Sequence, residues 1–208
     1  MANLLDLLQG QLDDNLIGHL SNQIGGADPQ QTATAAQGIM STLVSAIARN
    51  ASSPEGAQNL SNALQRDHDG SILDNLTGFL GGGAQPQNSN ATNGLGILKH
   101  VLGDRQNSAT DMISQMSGLN SGQTGNLMSM LAPMVMSMLG KQQRQQGLDA
   151  GGIAGLLSNT VDHHQQSGNP LIGLANRFLD KDGDGSALDD IMGMVGKNLL
   201  GGLFGGGK

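Results

Sequence analysis

Apolar residues recur every three to four positions along almost the whole chain. Leu4, Leu5, Leu8 and Leu12 form one stripe, followed by Leu16, Ile17, Leu20 and Ile24. Ile39, Met40, Leu43, Val44 and Ile47 form another. That period is the repeat of a helix with one buried face. Start signals stand where these stripes need them. Asp28-Pro29 and Ser53-Pro54 each place an N-cap residue before a first-turn proline. The spacing predicts one helix through 28–49 and a second from Pro54 past Leu64. A short third helix is expected from Ser71 to Leu80, ending at Gly81-Gly82-Gly83. The apolar run from Leu127 to Leu139 is too short to span a bilayer and reads as a buried helix. Sustained strand alternation is missing, so the expected fold class is all-α.

The pattern then restarts. Residues 81–94 are polar and rich in glycine and asparagine, and they divide the chain. An N-terminal helical unit (1–83), a linker (84–94) and a C-terminal unit (95–208) with a Gly-rich tail are expected. Leu4, Leu5, Leu8 and Gly10 match Ile97, Leu98, Val101 and Gly103. Ile39, Leu43 and Ile47 match Leu131, Val135 and Leu139. The apolar positions stay in phase, which predicts duplicated multi-helix units.

Composition narrows the partners. The 208 residues carry a net charge of −7, and only 13% are charged. Phosphate neutralisation needs a basic surface, so no nucleic-acid partner is expected. Low charge density opposes association weakly, which favours a homo-oligomer or another protein as partner. With no cysteine and no basic, continuously apolar leader, a cytoplasmic location without a membrane span is expected. Three Phe and no Trp or Tyr leave Leu, Ile, Val, Ala and eleven Met to fill the core.

One stretch carries chemistry. Residues 180–191 read DKDGDGSALDDI, placing Asp180, Asp182 and Asp184 at positions 1, 3 and 5 of an EF-hand-like acidic loop between the last two helices. Gly185 sits where such a loop turns, and the Ser186 carbonyl falls at position 7. Alternating carboxylates converge on a hard cation, so Ca2+ is the candidate ligand. Ile191 replaces the bidentate acid at position 12, and Asp189 and Asp190 stand just before it. The alternative is an acidic turn in which Ser186 caps the last helix. A weaker second loop, Asp67, Asp69 and Asp74, has Gln65 where its first acid should be. A capped loop–helix junction is the stronger reading there. His68, between two acids, is expected to have a raised pKa. His163-His164 reads as a pair on a polar loop, and His100 with Asp104 as a helix-surface pair. No nucleophile, phosphate-loop or metalloprotease pattern occurs, so no catalytic or cofactor-binding residue is assigned.

Three strings carry a resemblance: Gly103-Asp104-Arg105-Gln106, then Ile113 to Leu119 (ISQMSGL), then Met130 to Met136 (MLAPMVM). With the Asp67-to-Asp74 stretch they resemble the bacterial YidB-like family, domain of unknown function 937. The resemblance implies a bacterial helical protein and no activity. The expected function is a non-enzymatic, self-associating helical interaction or structural protein. A calcium-responsive module is the alternative, and a hydrolase of unknown substrate the remote one.

Overall fold

The computed structural model describes residues 4–74, 76, 78 and 89–166, and every regular element among them is helical. In chain order these are α1 (Leu4–Gln9), α2 (Asp14–Gln23), α3 (Pro29–Asn50), α4 (Pro54–Asp67) and α5 (Ser71–Asp74). A 3₁₀ turn, Ser89–Thr92, then leads into α6 (Gly94–Leu102), α7 (Gln106–Ser117), α8 (Ser121–Gln146) and α9 (Ala150–Gln166). A second 3₁₀ turn, Gly103–Arg105, separates α6 from α7.

The helix starts follow from local chemistry. Asp28 accepts from the Gln30 and Gln31 N–H groups at 2.9 and 3.0 Å, and Pro29 opens α3 without losing a needed donor. Ser53 accepts from Gly56 N–H at 3.1 Å before Pro54. Asn120 and Gln123 form a reciprocal capping box at the head of α8, with bonds of 2.9 and 3.1 Å. Gly118 ends α7 with φ 81°, a left-handed conformation that L side chains rarely adopt.

α3 and α8 are the longest helices among the described residues and lie against each other. Residues 38–47 of α3 and 131–140 of α8 are buried without interruption, so each helix is covered on every face there. α6 and α7 pack on both α3 and α8, α9 packs on α3 and α4, and α1 lies on α3, α8 and α9. One hydrophobic cluster joins all of these, with Leu5, Leu20, Ile39, Met40, Leu64, Leu98, Ile113, Leu127 and Met128 fully buried. Removing such side chains from water contributes about 1.5–3 kcal/mol each. Pro133 sits inside α8 and is buried; lacking an N–H, it leaves the Ser129 carbonyl without its helical donor. No helix among the described residues is long and apolar enough to cross a membrane.

Candidate functional site

The polar chemistry in the described residues concentrates where the turn after α4 crosses α8. α4 ends at Asp67, His68 caps it in a non-helical conformation, and Gly70 (φ 88°) turns the chain into α5. This turn is strapped down at several points. The backbone of Gly140, at the end of the buried stretch of α8, lies directly under the His68 carbonyl, and any Cβ at that position would collide with it. A Cβ at Gly70 would come within 3.1 Å of Lys141 Cβ and 3.5 Å of the Ser137 carbonyl oxygen. Arg144 donates from Nη1 to the Asp69 carbonyl at 2.7 Å. Gln143 Nε2 donates to Ser61 Oγ of α4 at 2.9 Å, and both side chains are buried.

The strap encloses unusual groups. His68 is only 5% exposed, and its Nδ1 makes no hydrogen bond. Gln143 Oε1 and Ser137 Oγ, on the facing stretch of α8, are likewise buried without a partner. Burial pushes the His68 imidazole below its ordinary range and outweighs the opposing pull of the Asp67 charge. The expectation of a raised pKa, drawn from its two acidic neighbours, is therefore corrected: the neighbours are there, and desolvation dominates.

The acids of this turn go to separate partners. Asp67, 8% exposed, binds the Arg66 guanidinium at 2.6 Å. Asp69 Oδ1 accepts from the Ser71 N–H at 2.9 Å and from its hydroxyl; these bonds hold its carboxyl below the usual range. Asp74 faces Lys141 at 3.8 Å. Asp67, Asp69 and Asp74 thus have different neighbours, and Asp69 binds the first residue of α5. Among the described residues, no three His, Asp or Glu side chains gather as a metal site. Asp180, Asp182, Asp184, Ser186, Asp189 and Asp190 lie outside the described residues.

The remaining histidines are not assembled with these groups. His163 and His164 fall within α9 rather than on a loop. Gly103 (φ 56°) ends α6 before Asp104, so His100 and Asp104 do not share a helix. His19 lines a depression of about 420 Å³ with Gln11, Asp13, Asn15, Leu16 and Leu76.

Residues 6–142 match the model of a family described as a bacterial protein of unknown function, DUF937. The match takes in all of α2 to α7 and α8 as far as Gln142, and so the turn after α4 and Gly140 but not Gln143 or Arg144. The chain belongs to this family. No curated protein matches it, and no solved structure does. Within the DUF937 chain, sequence reasoning singled out the turn at Asp67 to Asp74 but missed Gly140, Gln143 and Arg144. Their role depends on which helix lies across the turn, and only Gly140, a lone glycine in a buried run, hinted at a close approach.

Proposed function

We propose that this DUF937 protein is a non-enzymatic helical scaffold built from two related units, and that its partner is a second copy of the chain. The observation that carries the reading is the repeated order of elements. α1 to α4 have 6, 10, 22 and 14 residues; α6 to α9 have 9, 12, 26 and 17. Equivalent details fall at one constant spacing. Gly26 and Gly118 have φ of 73° and 81°, Asp28 and Asn120 cap the long helices, and Thr32 and Thr124 are fully buried after them. Ser45 and Ser137 both bury a hydroxyl that makes no hydrogen bond. Such agreement in caps, turns and interior polarity is what duplication of one unit leaves behind. A scaffold with few charges meets little electrostatic resistance to self-association.

Multi-angle light scattering over a wide concentration range tests this reading. The expected result is a mass above that of one chain that grows with concentration; a single-chain mass throughout would reject self-association.

A calcium-responsive role is favoured by one specific feature, the alternating acids of DKDGDGS at 180–186. On this second reading Asp180, Asp182 and Asp184 supply carboxylates, Ser186 its carbonyl, and Asp189 or Asp190 completes the shell in place of Ile191. Thermal unfolding with calcium or chelator reads it directly, because a ligand of the folded state raises the midpoint. No shift with calcium, or an equal shift in Asp182→Ala, rejects it.

A further inference from the structure

We propose that Asn93 is a site of spontaneous backbone modification, in which the Gly94 main-chain nitrogen closes on the Asn93 carboxamide. Asn93-Gly94 is the only Asn-Gly pair in the chain. Two separate structural demands create it. Asn93 is the N-cap of α6 and accepts from the Gly96 N–H at 2.9 Å, a role for which asparagine is among the preferred residues. Gly94 is buried with its backbone against the Ser129 carbonyl, and any Cβ there would collide with that oxygen. Ser129 presents this carbonyl because Pro133, four residues on, has no N–H to bind it. The docking of α6 on α8 therefore imposes glycine directly after an exposed asparagine. In that pair no side chain shields the attacking nitrogen.

The chemistry needs only water. The Gly94 nitrogen gives up its proton to solvent and bonds to Asn93 Cγ. The Cγ–Nδ2 bond breaks and ammonia leaves, closing a five-membered succinimide. Water then opens the ring at either carbonyl, giving aspartate or its isoaspartyl isomer. The net change is loss of ammonia and gain of water.

The docked helix restrains this reaction. Ring closure must turn the carboxamide away from Gly96 and onto the adjacent nitrogen, while Gly94 is held against Ser129. Reaction accordingly proceeds from states in which the first turn of α6 has opened, so its rate reads that opening. The two products act in opposite directions. Aspartate keeps the capping oxygen and adds negative charge at a helix N-terminus, which is favourable. The isoaspartyl form adds a carbon to the main chain beside Gly94 and drives α6 off Ser129.

Full-length protein incubated at mildly alkaline pH, in buffer and in urea, provides the test by peptide mapping and isoaspartyl labelling. Conversion of amide to acid is expected at Asn93 ahead of the capping Asn120. The rate in buffer should be at least about tenfold below that in urea, corresponding to about 1.4 kcal/mol of opening free energy. Leu98→Val, which trims a fully buried side chain of α6, should accelerate conversion in buffer and leave the urea rate unchanged. An unmodified Asn93 beside converted asparagines elsewhere would overturn the proposal. Equal rates in buffer and urea, or no acceleration in Leu98→Val, would overturn it as well.

Discussion

Replacing Gly140 by alanine pits a local rule against a tertiary contact. In an isolated helix the change gains about 1 kcal/mol, because alanine loses less backbone entropy than glycine. In this fold the new methyl would run into the His68 carbonyl oxygen and lie 2.9 Å from its carbonyl carbon. Both are backbone atoms at a helix end, and no flexible side chain is available to swing aside. The turn must lift, which loosens the Gln143–Ser61 hydrogen bond and the Arg144 bond to Asp69. Overpacking of this kind costs about 1–3 kcal/mol, and weakening the buried Gln143 bond adds about 1 kcal/mol. Set against the helical gain, the net expectation is a loss of about 2 kcal/mol. For a chain of this size that lowers Tm by roughly 4–8 °C. Gly125, in the same helix with open space at its Cβ position, is the control. Gly125→Ala should raise Tm by about 1–3 °C through the entropy term alone. Thermal unfolding followed by circular dichroism measures both. If Gly140→Ala stabilises as Gly125→Ala does, the turn does not bear on α8 and the strap is refuted.

Other expectations follow from the same contacts. His68 is held neutral below its ordinary pKa of 6.5, so the unfolded chain takes up a proton that the folded chain refuses. Stability should fall as pH drops below about 6.5, and the gap between wild type and a non-titrating His68→Asn should narrow over that range; a gap independent of pH would contradict this. Asn120→Ala breaks the capping box of α8 and should cost about 1 kcal/mol, whereas Asn120→Asp should be tolerated; urea midpoints distinguish them. Leu64→Ala empties a fully buried site and should cost about 2–5 kcal/mol, while Leu95→Ala, at 65% exposure, should stay within about 0.5 kcal/mol in the same titration.

Much of this fold is legible in the sequence because its signals are local. The three-to-four-residue period gives α2, α3 and α8, and Asp28-Pro29 and Ser53-Pro54 mark two helix starts to within a residue. The methionines from Met128 to Met138 enter the core as their spacing implies, Met130 only partly. What escapes is everything that depends on a distant partner. His68 looks acid-flanked in sequence and is governed instead by the packing that buries it. Pro133 breaks the local rule for helix interiors, yet α8 continues through it because burial on all sides outweighs one missing bond. His163 and His164 read as loop because polar residues surround them, whereas α9 runs on to Gln166.

These exceptions bear on how such a core acquires a single arrangement. Among the described residues no Phe, Tyr or Trp enters the interior, and methionine fits many shapes about equally well. Apolar burial can then bring α3 and α8 together without fixing their register. Contacts that tolerate one geometry must do so. Those contacts are the Gly140 backbone under the His68 carbonyl, Gly94 against Ser129, Gln143 on Ser61, and Asn50 Nδ2 donating to the Val101 carbonyl at 3.1 Å. Each joins an element of the first half to one of the second, except Gly94–Ser129, which seats α6 on α8. Their positional weight should exceed their share of buried area. Met134→Leu, a volume-conserving change at a fully buried site, should therefore cost less than about 1.5 kcal/mol, below the loss from a single methyl added at Gly140.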